Sequence, residues 1–285
     1  MAWNPEQYLQ FAQPRLRPAM DLLARVALAA PARVCDLGCG TGSATRAIAQ
    51  RWPRAEVTGI DDSDTMLAQA ARDGGGIRWV RTGIGDWAAE QPVDLVYSNA
   101  ALHWLPDHGT LFPRLLDALA PGGVLAVQMP RNFEAPSHTL IERTARDGPW
   151  RARLEPLLRP VPVGEPRAYH ALLAPRCASV DIWETEYLQV LHGPDPVKEW
   201  TKGTWLKPLL DALEAPERPA FEEAYARRLR IAYPAEPDGS TLFPFRRLFI
   251  VATRAVPRGR ERHEEYGDRR PDHHDARLRA AGVVK

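Results

Sequence analysis

At 285 residues, 45% of them hydrophobic, the chain can bury a sizeable core and sits at the upper end of what one α/β domain holds. Its 37 Lys and Arg against 36 Asp and Glu leave a formal charge of +1, which gives no field for a polyanion such as DNA or for an acidic membrane. An anionic ligand must therefore be held by a few placed cations.

The first residues, "MAWNPEQYLQFAQPRLRP", carry no apolar run behind a basic start, and no stretch reaches about 18 uninterrupted apolar residues, so a soluble, cytoplasmic, unexported protein is expected. Short apolar runs then alternate with amphipathic stretches, the pattern of repeated βαβ units. "ARVCDL" (32–37) predicts a first strand and "SATRAIAQRW" (43–52) its helix. A second strand over 56–61 and a second helix over 64–73 follow, then strands over 77–82, 93–99 and 123–130. A helix around 108–120 is expected to stop at "APGG", where Pro121 and Gly122 act as breakers. A sixth strand is expected over 180–191 and a seventh over 247–254, with two or three amphipathic helices over about 192–240 between them. The expectation is one α/β domain over 1–254: a doubly wound, mostly parallel seven-stranded sheet with a helical cap inserted between the last two strands. The charged segment 255–285 reads as a solvated tail.

The chemistry centres on "VCDLGCGTGSAT" (34–45). A strand followed by Gly38, Gly40 and Gly42 and then a helix puts bare backbone at the carboxyl edge of a parallel sheet, where doubly wound folds bind ligands. Ser43 stands where a pyrophosphate cradle needs its third glycine, and no Gly-Lys-Ser/Thr follows for a nucleoside triphosphate. Asp61 ends the second strand roughly twenty residues beyond the glycines, placed to accept both ribose hydroxyls of a nucleoside. Asp36 falls where an amino or sulfonium group would lie. Cys35 and Cys39 form no Cys-x-x-Cys pair, so neither a disulfide framework nor a metal site is expected; they read as small packing residues.

Together "DLGCGTG", "GIDDS" and "LAPGGVLAV" resemble the motif set of the class I S-adenosylmethionine-dependent methyltransferases. Outside that core, "WNPEQYLQFAQPRLRPAMDLLARV", "SNAALHWLPDHGTLFPRLLDALAPGGVLAVQMPRN" and "YPAEPDGSTLFPFRRLFIVATR" resemble the trans-aconitate 2-methyltransferase family over about 3–254. The resemblance implies S-adenosyl-L-methionine as cofactor, S-adenosyl-L-homocysteine as product, and esterification of one carboxylate of a small tricarboxylate. It implies cofactor contacts from Asp36, the three glycines, Asp61, Asp62, Met66 and Asn99, with Tyr8, Phe11 and Arg17 as an N-terminal lid. Where the family commonly has an acid after the third strand, this chain has Gly83 in "TGIGDW", and Asp86 or a backbone group is expected to take its place.

For the acid substrate, an antiparallel seventh strand would begin at the catalytic edge, which brings Arg247 forward, with Arg246 beside it. Gln128, Arg131 and Asn132 leave the fifth strand at the same edge. Tyr169, Trp200, Thr204, Lys207 and Tyr233 are expected to face the pocket from the insertion or its neighbourhood. No residue reads as a certain catalyst. His103 and Trp104 fit either closure over the methyl donor or a structural turn; His138 fits a helix cap or a ligand contact, the cap being favoured. Met66 fits the adenine or the core. Two other readings stand beside this one: a methyltransferase for another small acid or natural product, and a noncatalytic module that binds an adenosyl ligand. A nicotinamide-dependent dehydrogenase is disfavoured by the missing glycine, and an RNA-associated module by the neutral charge.

Overall fold

The computed structural model of the protein describes residues 12–257. Tyr8 and Phe11, and the segment 258–285, lie outside the described residues. Chain order is α1 (Ala12–Arg25), β1 (Arg33–Leu37), α2 (Ser43–Arg51), β2 (Glu56–Asp61), α3 (Asp64–Ala70), β3 (Arg78–Arg81), β4 (Val93–Asn99), α4 (His108–Asp117), β5 (Leu119–Pro130) and α5 (Pro136–Asp147). It continues with α6 (Arg151–Leu154), α7 (Pro166–Leu173), β6 (Cys177–Leu191), α8 (Pro196–Lys202), α9 (Lys207–Ala212), α10 (Glu217–Ala232) and β7 (Thr241–Arg254). The seven strands form one sheet in the order β3-β2-β1-β4-β5-β7-β6, with β7 antiparallel to both neighbours and the remaining pairs parallel. The order reverses direction between β1 and β4, which opens a crevice at their carboxyl ends.

Alternation along the strands divides the core in two. Leu37, Val96, Leu125, Val127 and Ile250 face α4 and α7, whereas Val34, Leu95, Tyr97, Ala126 and Phe249 face α1 and α2. The buried Tyr97 hydroxyl donates to the Ala19 carbonyl oxygen at 2.6 Å and ties α1 to the middle of the sheet. A third apolar cluster joins α8, α9 and α10 to α5 and α6, with Phe243 and Phe245 of β7 among its members. Helices from both sides of β6 thus share one core. Starts are marked by Ser63, which accepts from Met66 N at α3, by Asp107 at α4, and by Pro136, Pro166 and Pro196 in the first turns of α5, α7 and α8.

Three sequence boundaries need correction. The helix expected to run to about 120 ends at Asp117, and "APGG" belongs to the lead-in of β5. Register passes from Val93 opposite Leu119 to Leu95 opposite Val124, and a Cβ on Gly123 would meet the Asp94 carbonyl at 3.2 Å and that of Ala120 at 2.9 Å. These glycines serve an irregular close approach between strands rather than a helix stop. Strand β6 starts at Cys177 rather than 180. Strand β7 starts at Thr241, six residues before Arg247. The strand contains Pro244, but β5 has already ended with Pro130 opposite Arg247, so Pro244 sits where β7 has one strand neighbour and a missing N–H is tolerated.

Candidate active site at the carboxyl edge of the sheet

Five of the singled-out side chains reach one face of the sheet because each stands an even number of residues from a side chain packed on the α1 and α2 side. Asp36 stands two after Val34, Asp61 four after Val57, Asn99 two after Tyr97, Gln128 two after Ala126, and Arg247 two before Phe249. Asn99 and Gln128 are register partners, and Arg247 is opposite Pro130. Arg247 thus reaches the edge through its register in mid-strand, not by opening the strand.

In the glycine loop, Gly38 N and Cys39 N donate to the Ile60 carbonyl at 2.8 and 2.9 Å, which fastens the loop to β2. Asp61 completes the clamp: its Oδ2 accepts from Gly40 N at 2.9 Å and its Oδ1 from Ser63 N at 2.9 Å. Two glycines matter for different reasons. A Cβ on Gly38 would lie 2.2 Å from that of Ala101, whereas one on Gly40, with φ +55, would meet nothing within 4 Å. The Gly40 backbone therefore faces open space. Asp86 Oδ2 lies 3.4 Å from where Gly83 would carry a Cβ, so the Asp86 carboxylate stands over the position left bare by glycine. Met66 is buried in the first turn of α3, and Asp62 is exposed beside it.

Asp36 is 1% exposed. Thr45 of α2 donates its hydroxyl proton to Asp36 Oδ2 at 2.6 Å. Burial pushes the Asp36 carboxyl up to about 7; the Thr45 hydrogen bond opposes the rise and the nearby Asp61 charge adds to it. Asp61 is likewise raised by burial, against the pull of its backbone donors. Thr45 was not singled out from the sequence, although its place in the first turn after the glycines aims it back at β1.

Across the crevice, Arg247 is 4% exposed, donates from Nη1 to Gln128 Oε1 at 3.4 Å and lies over the Phe245 ring at 4.7 Å. Asn99 Oδ1, His103 Nδ1 and Gln128 Nε2 are buried with no hydrogen-bond partner among the described residues. The turn that leads from Asn99 to His103 is strained, because Ala100 has φ 53. His103 is lowered to about 3 by burial first and then by Arg247, His108 and His138; His138 is lowered to about 4 by burial. Both imidazoles are neutral near pH 7.

Several expected pocket residues are engaged elsewhere. Arg131 is ion-paired with Glu184 at 2.6 Å and with Glu165, so its charge is already matched. Tyr169 lies on α7, before β6; its hydroxyl meets His108 Nδ1 at 2.6 Å and accepts from Gly164 N. Trp200 is buried against Phe243 and Phe245. Tyr233 uses its hydroxyl to accept from Ser137 N, Lys207 pairs with Asp211, Thr204 bonds to the Thr201 carbonyl, and Asn132 Oδ1 accepts from Arg246 N. Arg246 is exposed. His138 does not cap α5: the cap position is Ala135, and the buried ring of His138 sits among Phe133, Trp205 and Phe245. Trp104 stacks on Trp205 at 5.7 Å, next to His103. Arg17 is exposed on α1, 5.3 Å from the Tyr187 ring centre and 3.9 Å from Asp21. Phe133 and Trp205, absent from the sequence reading, complete the ring cluster behind His103.

Residues 34–123 match the family model described as a methyltransferase domain. A trans-aconitate 2-methyltransferase of Azoarcus sp. (strain BH72) is 47% identical over 252 residues, which cover 88% of this chain and 99% of the relative. Another, of Streptomyces avermitilis, is 48% identical over 261 residues, covering 88% of this chain and 96% of the relative. The chain belongs to the trans-aconitate 2-methyltransferase family. In fold alone it is also similar to phosphoethanolamine N-methyltransferase 2 of Haemonchus contortus, solved with phosphomonomethylethanolamine and S-adenosylhomocysteine. There the identity is 15% and the TM-score 0.50, over 84% of this chain and 52% of that one.

As a member of the trans-aconitate 2-methyltransferase family, the protein is a class I S-adenosylmethionine-dependent methyltransferase. Its own residues fit that cofactor. Open space borders the Gly40 backbone, Asn99 offers an unused buried acceptor, and two buried or half-buried carboxylates, Asp36 and Asp61, stand at the same edge, an acceptor set that suits a cation and hydroxyl groups. Each Asp61 oxygen retains a lone pair beyond its backbone donor. Among the described residues no helix is long and apolar enough to cross a membrane.

Proposed function

We propose that the protein transfers a methyl group to one carboxylate of trans-aconitate, giving the monomethyl ester. The observation that carries this reading is Arg247: a buried guanidinium on the same face and edge as Asp36 and Asp61, in a chain whose net charge of +1 gives an acid no general attraction. The names of its relatives support the same substrate. S-adenosylmethionine supplies an electrophilic methyl on a sulfonium. In this reading Asp61 holds the ribose, Asp36 the amino group, Asp86 and Met66 the adenine side, and Arg247 a substrate carboxylate. The helices that share a core with α5 and α6 form the cap over this edge. The small-acid substrate and the absence of a membrane-crossing helix among the described residues fit a cytoplasmic enzyme.

No general base is needed. A carboxylate with an ordinary pKa near ~4 is already ionised at neutral pH, and His103, held near 3, is too weak a base to help. What the site supplies is alignment and dehydration of the nucleophile, worth roughly 7–11 kcal/mol when the geometry is right. Arg247→Lys should raise the Michaelis constant for trans-aconitate about tenfold, or about 1.4 kcal/mol, because an ammonium cannot reproduce the two-point fork. Steady-state kinetics beside a cofactor titration checks this; an unchanged Michaelis constant removes Arg247 from the substrate.

Cofactor binding should also follow the proton on Asp36. With the free carboxyl near 7, a cation that needs the ionised form must displace a proton below that pH and none above it. S-adenosylmethionine affinity is therefore expected to fall about tenfold per pH unit below 7 and to level off above it. Calorimetry in two buffers of different ionisation enthalpy would detect the released proton, and Asp36→Asn should flatten the profile. A flat profile from pH 6 to 8 in the unmodified protein would separate Asp36 from the amino group.

A further inference from the structure

The acceptor side of the crevice holds two kinds of donor. Arg247 carries a full charge, whereas Gln128 and His103 are neutral, and all three are nearly or wholly buried. Their arrangement is not symmetrical. Arg247 Nη1 takes Gln128 Oε1, which fixes the amide and leaves its NH2 group, with no partner among the described residues, as a donor without an acceptor. An amide set the other way would point NH2 at a guanidinium, donor against donor. The parallel register places Gln128 beside Asn99, whose unused atom is an acceptor, so the two adjacent side chains present opposite hydrogen-bonding characters at one edge.

A substrate with several carboxylates gives these donors different work. The carboxylate that reacts must keep its electron density, because its oxygen lone pair forms the new bond to the methyl carbon while the methyl–sulfur bond breaks and its pair stays on sulfur; no proton moves. A guanidinium fork spreads that charge and lowers nucleophilicity, whereas a single amide donor orients the oxygen at less cost. A carboxylate that does not react can be held as tightly as possible.

Resting on the substrate reading above, we infer that Arg247 anchors a carboxylate that does not react, and that Gln128, its amide turned by Arg247, holds the carboxylate that receives the methyl group. His103 stands beside it as a second neutral donor, through the Nδ1–H tautomer. The buried surroundings of His103, with Arg247, His108 and His138 as the titratable or charged groups acting on it, keep it uncharged and therefore unable to dampen the nucleophile.

The two roles separate in kinetics. Gln128→Met keeps the volume and removes the donor, and Gln128→Leu removes it in a shorter, likewise uncharged side chain. Both should lower kcat about tenfold while the Michaelis constant for the acid changes less than about threefold, in contrast to Arg247→Lys. Unchanged S-adenosylhomocysteine affinity certifies each variant as folded, and the kcat is read from whichever variant passes. The split is measured on the acid that the unmodified protein esterifies, taken from a panel of di- and tricarboxylates. Failure of the unmodified protein on trans-aconitate alone strikes the substrate reading. An unchanged kcat in a folded Gln128 variant, or an effect confined to the Michaelis constant, overturns the role of Gln128.

Discussion

Gly40→Val should weaken S-adenosylhomocysteine binding by more than about 100-fold, or about 2.8 kcal/mol at 1.4 kcal/mol per factor of ten. Two costs combine. At φ +55 a β-branched residue enters the left-handed region, at roughly 1–2 kcal/mol. Its isopropyl group also fills the open space over the loop, where the cofactor is expected to meet the backbone. Because a Cβ there touches no protein atom within 4 Å, the fold itself should survive. Gly40→Ala separates the two costs, since it carries the strain with much less bulk. Calorimetry and far-ultraviolet dichroism decide the matter: a folded Gly40→Val protein that binds normally would show that the loop does not receive the cofactor.

Asp61→Ala is expected to weaken cofactor binding by about 1.5–3 kcal/mol, the usual contribution of hydrogen bonds to a charged group. The carboxylate has a second duty. It accepts from Gly40 N and Ser63 N, so its removal also releases two backbone donors that shape the loop. Stability should fall with affinity, and about 1 kcal/mol lowers the melting temperature by about 2–4 °C in a protein of this size. Asp61→Asn keeps an acceptor for one of those donors and should retain more stability than affinity. A lowered melting temperature with normal affinity would reduce Asp61 to a loop clamp.

The sequence was most legible where its signals are local. Apolar strand runs closed by a glycine, an acid or an asparagine located β1, β2 and β4, and the period of two then puts Asp36, Asp61 and Asn99 on one face. Legibility failed where the partner is distant in sequence. Nothing around Arg131 announces that Glu165 and Glu184 neutralise it, 34 and 53 positions away. Tyr169 reads from the sequence as a pocket residue, whereas its hydroxyl is held by His108, 61 positions earlier. Strand β7 extends six residues further back than the run 247–254 suggests, and a proline at 244 is harmless there only because β5 has already ended. Likewise "APGG" carries the signature of a helix stop, and its use in the approach of β5 to β4 depends on a register that is not local.

Strand β7 carries Phe243 and Phe245 into the helical cluster, Arg247 into the crevice, and Phe249 and Ile250 into the sheet, all within ten residues of its start. The glycine loop, Asp36 and Asp61 lie more than 170 positions earlier and share none of these residues. The two halves are therefore separable in the chain. Under the proposed assignment, changes along 241–247 and in the helices that rest on them would alter the grip on the acid while leaving the glycine loop, Asp36 and Asp61 as they are. The coupling lies in one ribbon: the Phe245 ring packed in the helical cluster lies 4.7 Å beneath the Arg247 guanidinium, so a change that repacks that cluster moves the floor on which the crevice's buried cation rests.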